Sequence, residues 1–261
     1  MHRDYFEAGA DVATSASYQA SFQGFARRGI DAARAAELLR LAVTLAIEAR
    51  DEYLRTSDPP RARALIAASV GPYGAALADG SEYRGGYAIS DEALADFHRP
   101  RMSVLANAGA DLLACETVPS LREALVLARL LAEHPQTCAW ISFSCRDGQH
   151  TGEGQPIEEC VQALDAFPQI VSVGVNCTSP AHIVPLLRRM RHRTTKPLIV
   201  YPNSGETYDA AERRWRGSAD TSALDAQALA WHAEGARLIG GCCRTTPSDI
   251  RAIRSRLARC A

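Results

Sequence analysis

The sequence predicts an α/β fold in which parallel strands are joined by crossover helices, and three observations carry that reading. From Asp11 onward, short apolar runs alternate with longer amphipathic stretches, as strand–helix units should. Several of the runs are apolar without polar alternation, which suits strands buried on both faces. No Gly-x-Gly-x-x-Gly follows any of them, so the nucleotide fingerprint expected of a doubly wound open sheet is missing.

The strands are expected at 11–17, 64–70, 111–117, 138–145, 170–177, 197–203 and 237–242. Helical periodicity fills 30–56, 90–108, 119–134, 156–166, 180–192, 221–234 and 247–259, with start signals at Ser90, Pro119 and Pro247. Two longer connections remain, the Gly- and Tyr-rich segment 71–87 and the Asn/Gly/Asp-rich segment 202–219. Connections beyond about 12–15 residues in a compact domain are commonly functional. Gly152-Glu153-Gly154 is too short to cradle a phosphate and reads as a plain loop.

Seven strand–helix units are one short of a closed (β/α) barrel, which needs eight. Ahead of the first strand, Arg3 to Ala10 reads like the end of a helix closed by Gly9. A helix tail with no strand before it points to a missing opening unit.

Charge and composition narrow the partner. Lys+Arg 29 against Asp+Glu 30 leave a formal charge of -1, so there is no global basic field to draw nucleic acid or anionic lipid. A small-molecule partner is expected. A hydrophobic content of 47% excludes disorder. No stretch of about 18 uncharged apolar residues exists, and Met1 to Glu7 lacks the apolar core of a secretory signal. The expected compartment is the cytoplasm, where thiols stay free for packing, metals or chemistry.

The eight cysteines sort by position. In parallel barrels the site lies at the carboxyl ends of the strands, and Cys177, Cys242 and Cys243 close two such runs. Three converging thiolates repel unless a cation neutralises them, and zinc suits sulfur donors while leaving a fourth position open for chemistry. Adjacent Cys242 and Cys243 can share a metal only if the backbone turns, which Gly240 and Gly241 would permit. Spacing alone leaves this metal site and ordinary packing as open alternatives. Cys115, Cys138, Cys145 and Cys160 read as packing residues, and Cys260 as incidental. His98, His134, His182, His192 and His232 fall on predicted helices or their ends and read as solvent-facing.

With Gly240-Gly241-Cys242-Cys243-Arg244-Thr245-Thr246-Pro247 and Gly174-Val175-Asn176-Cys177, the chain resembles the zinc-dependent homocysteine S-methyltransferase family almost end to end. Gly71-Pro72-Tyr73-Gly74-Ala75, Glu82-Tyr83-Arg84-Gly85-Gly86-Tyr87 and Tyr201-Pro202-Asn203-Ser204-Gly205-Glu206 resemble its S-methylmethionine- or S-adenosylmethionine-using branch. The resemblance implies one TIM-type (β/α)8 barrel domain over residues 1–261, N-terminally incomplete and lacking the first β-strand. That strand carries an Asp-Gly pair in the family, and its Asp contributes to homocysteine binding. A chain without it is expected to be poorly stable and weakly active.

The resemblance also implies Zn²⁺ held by Cys177, Cys242 and Cys243, with the homocysteine sulfur taking the open position. A zinc-bound thiol loses its proton near neutral pH, and three cysteinates keep the incoming sulfur electron-rich. No catalytic residue beyond the zinc centre is implied. Glu116 matches the family's substrate-binding Glu and would hold the homocysteine ammonium; its ordinary alternative is to cap or salt-bridge the helix near Pro119. Thr14 and Tyr18 match positions that contact homocysteine and the methyl donor. Aromatic faces hold a sulfonium at roughly 0.5–2 kcal/mol per contact, so Tyr18, Tyr73 and Tyr201 are candidate walls of the donor site. Asn203 would orient either a carboxylate or a loop, and Arg244 either counters thiolate charge or caps a helix.

The expected reaction is methyl transfer to homocysteine, giving methionine, with S-methylmethionine ahead of S-adenosylmethionine and with betaine and folate donors behind both. The alternative is a non-catalytic zinc- or thiol-binding barrel, inactive for want of the first strand. The sequence does not fix the oligomeric state.

Overall fold

The computed structural model describes residues 1–57, 63–209, 212, 214–217 and 223–259. All seven predicted strands form: β1 (Val12–Thr14), β2 (Leu65–Val70), β3 (Leu112–Val118), β4 (Ala139–Phe143), β5 (Ile170–Asn176), β6 (Leu198–Tyr201) and, after a hairpin, β9 (Ala236–Ile239). They make one parallel sheet in the order β1-β2-β3-β4-β5-β6-β9. Each neighbour is the next core strand in sequence, the order of an unbroken run of right-handed crossovers.

The sheet curls, and side-chain alternation shows how. One face packs against the helices, through residues such as Ile66, Leu113, Ile141, Val173 and Val200 in the main apolar cluster. The other face forms a second cluster of Ala67, Ala114, Trp140, Ile199 and Tyr201, against which Val12 of β1 and Leu238 of β9 both pack. Side chains from the two outermost strands meet in one inner cluster only if the sheet bends round on itself. The α/β class is therefore as expected, in a form consistent with a TIM-type barrel. Among the described residues no ladder joins β1 to β9.

The crossovers are α3 (Ala32–Thr56), α5 (Asp91–Ala106), α6 (Leu121–Leu131), α7 (Ile157–Leu164), α8 (Pro180–Met190), α9 (Leu224–Ala233) and α10 (Pro247–Leu257). Caps define their starts: Asp31 accepts from the Arg34 amide, Ser90 from Ala93, and Thr246 forms a capping box with Asp249 ahead of Pro247. Ser120, not Pro119, caps α6, because it has the hydroxyl that accepts from the Glu123 amide. Helix α1 (His2–Glu7) ends as predicted, with Gly9 at φ +102°.

Both long connections hold unpredicted structure. Segment 71–87 contains α4 (Tyr73–Leu77) and a 3-10 turn at Ser81–Tyr83, and a short α2 (Phe22–Ala26) precedes α3. Segment 202–219 contains an antiparallel hairpin, β7 (Thr207–Asp209) with β8 (Arg214–Arg216). Elements of three to five residues have too little periodicity to announce themselves. The expected helix start at 221–222 lies outside the described residues, as does Cys260.

Gly174 marks the tightest approach in the sheet. A Cβ there would lie 1.8 Å from the carbonyl oxygen of Ile199 on β6, inside any allowed contact. Gly174→Ala must push β5 from β6, so thermal unfolding should show a loss of about 3 kcal/mol or more, seen as a lower Tm or insoluble expression.

Candidate metal centre

The site is assembled where β5, β6 and β9 end. Cys177 follows β5 directly and adopts φ +47°, a left-handed turn that lifts its side chain off the strand's alternation. Its amide still donates to the Tyr201 carbonyl at 3.1 Å, so the turn is tied to β6. After β9, Gly240 continues the ladder by donating to Val200 at 2.9 Å, and Cys242 donates to Pro202 at 2.8 Å.

The glycines act differently from the expectation. Neither Gly240 nor Gly241 has positive φ; the left-handed residue is Arg244, at φ +68°. Gly241 is needed for space, since a Cβ there would meet Thr245 Oγ1 at 2.3 Å. That hydroxyl in turn donates to the Cys242 carbonyl at 2.7 Å. The turn brings both adjacent cysteines to one side.

As a result the sulfurs of Cys177, Cys242 and Cys243 all lie within 4.8 Å of one another, and Cys177 and Cys243 are 3.3 Å apart. A tetrahedral thiolate site with Zn–S of about 2.3 Å has S···S edges of roughly 3.8 Å, so the donor set and its spread fit a zinc ion. Without such a cation the three share protons. Hydrogen bonds from Cys177 and Cys242 pull the Cys243 thiol down to about 3. Its bonds to the other two sulfurs, and then burial, push Cys242 well up.

Two polar groups grip the sulfurs from outside. The Tyr83 hydroxyl meets Cys177 Sγ at 3.4 Å, and Asn176 Nδ2 lies 3.8 Å from Cys242 Sγ. Neither is among the residues predicted from sequence, although Tyr83 and Asn176 sit inside the motifs that carry the resemblance. Asn176 also accepts from the Thr117 amide at 2.6 Å and donates to Thr117 Oγ1 at 2.8 Å. It thereby fixes Thr117 at φ +60°, an uncommon state for a β-branched residue.

Glu116 faces inward on β3, buried and hydrogen-bonded by the Ser69 hydroxyl. Burial pushes its carboxyl up to about 7, against the lowering bonds from Ser69 and Tyr201. It caps no helix, since Ser120 does that, and among the described residues it forms no ion pair. Tyr201 is also inside: its hydroxyl accepts from Trp140 Nε1 at 2.9 Å and is 2.6 Å from Ser142 Oγ. Thr14 shares the inward face of β1 with Val12, in register with Ala67.

Tyr18 lies against Gly71, where a Cβ would come 2.7 Å from its ring. Burial raises its hydroxyl well above the ordinary value, and the charges of Cys177, Glu82 and Glu116 raise it further. Tyr73 is placed differently. Its ring packs edge-on to Tyr87 at 5.2 Å and Phe97 at 5.0 Å, among the helices. Asn203 orients a loop, accepting from the Gly205 amide at 2.9 Å. Arg244 caps no helix; its Nε donates to Glu206 at 3.0 Å.

One histidine corrects its reading. His98 is fully buried, not solvent-facing. Burial and then Arg101 lower it to about 4, so the neutral ring accepts from Arg101 at Nδ1 (2.9 Å) and donates from Nε2 to Glu123 (2.8 Å). Arg101 also donates to the carbonyls of Gly71 and Ala20, while Glu123 accepts from the Tyr73 amide at 2.6 Å. This buried group anchors the segments on either side of Tyr18 and Gly71.

Comparison with known proteins places these features. The family model described as homocysteine S-methyltransferase matches residues 1–257. Homocysteine S-methyltransferase YbgG of Bacillus subtilis (strain 168) is 54% identical over 255 residues, 97% of this chain and 81% of the relative. The homocysteine S-methyltransferase of Escherichia coli (strain K12) is 49% identical over 257 residues, 98% of this chain and 83% of its own length. The crystal structure of the E. coli homocysteine methyltransferase MmuM in its metallated form superposes with TM-score 0.88 at 47% identity, covering 98% of this chain and 82% of that one.

The Asn176 bonds give a direct structural expectation. Asn176→Ala removes the acceptor of the buried Thr117 amide and the donor beside Cys242, and should cost about 1–3 kcal/mol in urea unfolding.

Proposed function

The chain belongs to the homocysteine S-methyltransferase family, and from that premise we propose that it draws the methyl group from S-methylmethionine, or secondarily S-adenosylmethionine, at a zinc centre of Cys177, Cys242 and Cys243. Its reaction is methyl transfer to homocysteine, giving methionine. The observation that supports the zinc reading is the approach of three sulfurs from two distant segments to within 4.8 Å of one another, with no fourth Cys, His, Asp or Glu in the group among the described residues. Zinc held there would supply a positive centre that keeps an incoming thiol deprotonated while three cysteinates keep it electron-rich.

The protein's own residues bind and align. Asn176 and Tyr83 hold the sulfurs of Cys242 and Cys177 in place. Glu116 accepts the homocysteine ammonium at the inward face of β3, with Ser69 and Tyr201 fixing the carboxyl. Thr14 and Tyr18 line the mouth from the β1 side, where the Tyr18 ring offers a face to the sulfonium. Tyr201 acts through Glu116, and Tyr73 and Asn203 act by holding loops. Displacement between two sulfurs is in-line, so alignment and exclusion of water are what the fold contributes.

The domain is read as one (β/α) barrel over residues 1–261 that leaves a place for an eighth strand between β1 and β9, which share the inner cluster without a ladder. A cytoplasmic setting is read from the free thiols, and no described helix is long and apolar enough to cross a membrane.

Elemental analysis should find one zinc per chain, and Cys242→Ala should lose both zinc and methionine formation from S-methylmethionine; a variant that kept stoichiometric zinc would overturn the ligand set. Glu116 provides the pH expectation. Its carboxyl ionises near pH 7, so ammonium binding strengthens as pH rises through that value and the homocysteine KM should fall between pH 6 and 8. In Glu116→Gln the KM should rise by roughly thirtyfold, the equivalent of about 2 kcal/mol, and that pH dependence should vanish.

A further inference from the structure

Glu82 carries a carboxyl to the same mouth, and nothing above uses it. It sits in the 3-10 turn Ser81–Tyr83, next to the tyrosine that meets Cys177. The residue is 6% exposed, and its Oε2 is buried with no hydrogen-bond partner. Its backbone is fixed on both sides: the carbonyl accepts from Ser144 Oγ at 2.9 Å, and the amide lies 2.4 Å from where a Gly74 Cβ would fall. The adjacent base, Arg84, is exposed and donates to the Asp79 carbonyl at 3.1 Å. Among the described residues no cation forms an ion pair with Glu82.

A buried acceptor left unpaired is costly, and native structures seldom keep one without a reason. Burial raises this carboxyl above its ordinary value, against lowering by its own backbone amide and by the charge of Arg84. The turn that carries it also carries Tyr83, whose hydroxyl meets Cys177 Sγ at 3.4 Å, so Glu82 sits one residue from a direct contact with the metal centre. A donor whose methyl group is to reach a second sulfur at the centre has to stand beside those thiols. The homocysteine ammonium already has Glu116 on β3. What Glu82 lacks, among the described residues, is a cation in contact with its buried oxygen, and a sulfonium supplies one without requiring an N–H.

We propose that Glu82 is the counter-charge for the sulfonium of the methyl donor, so that the site selects a cationic donor over a neutral molecule of the same shape. The inference rests on the sulfonium-donor reading above. In the reaction the homocysteine sulfur forms a C–S bond to the methyl carbon, the donor C–S bond breaks, and its electron pair stays on the donor sulfur. The thiol proton of homocysteine is released. The donor charge that Glu82 pairs with is gone once the methyl has moved, so the interaction favours donor entry and product departure rather than the transition state.

Calorimetric binding of S-methylmethionine and of homoleucine, its neutral carbon isostere, to wild type, Glu82→Gln and Glu82→Asp tests this without turnover. Wild type should bind the sulfonium at least tenfold more tightly than homoleucine. Glu82→Gln should lose most of that ratio by weakening only the sulfonium, and Glu82→Asp, which keeps the charge, should retain part of it; zinc content and melting temperature report that each variant is folded and loaded. Equal weakening of both ligands, or an unchanged ratio in Glu82→Gln, overturns the proposal, as does a wild type that does not prefer the cation. Methionine formation by wild type from S-methylmethionine or S-adenosylmethionine is measured separately. Its absence with both would sink the donor reading, while the binding ratio still decides Glu82.

Discussion

The structure depends on one constraint: three thiols that begin far apart in the chain end within 4.8 Å of one another. Cys177 closes β5, whereas Cys242 and Cys243 follow β9, and β6 lies between those strands. The three come together because β6 is hydrogen-bonded to both neighbours and because the chain turns sharply at Cys177 and again at Arg244. Two ordered ladders and two left-handed residues bring the sulfurs to one point, and a shift of either strand by one residue would turn a cysteine away.

The interior of the curled sheet serves that point. Small inward residues, Ala67 and Ser69 on β2, Ala114 on β3, Ser142 on β4 and Gly174 on β5, leave room along the axis. Larger polar groups fill it selectively. Tyr201, Trp140, Ser142, Asn176 and Thr117 are joined by hydrogen bonds that run across the interior to Cys242 beyond β9, and Glu116 is bonded by Ser69. Such a chain, satisfied at each link, is rigid in a low-dielectric interior. It ties the inner faces of β4, β5 and β6 to the Cys242 sulfur.

A second buried polar group does the same for the opposite wall. His98, Arg101 and Glu123 lie among α5 and α6, and they reach out to backbone atoms of Ala20, Gly71 and Tyr73. Arg101 stays cationic although burial lowers it to about 10, because the charge of Glu123 favours it and its terminal nitrogens donate to the carbonyls of Gly71 and Ala20 and to His98. Charged groups so deep are expensive unless they are bonded on several sides. Here the bonds hold the two segments that carry Tyr18 and the tyrosine-rich turn against the barrel.

The sequence by itself determined the seven strands, their crossover helices and the identity of the three thiols. Apolar runs and 3.6-residue periodicity are local signals, and Cys-Cys after Gly-Gly at a strand end is legible without coordinates. That Glu116 stands at a strand end was legible too, though its burial beside Ser69 was not. Tertiary structure alone decided what each polar side chain meets. His98 looked like a surface residue because one residue does not reveal which side of a helix is covered, and nothing local shows that the Tyr73 ring packs against Phe97. Tyr83, Asn176 and Glu82 went unread because their partners lie dozens of residues away. Hydrogen bonding and burial depend on what the folded chain brings near, which no window of sequence contains.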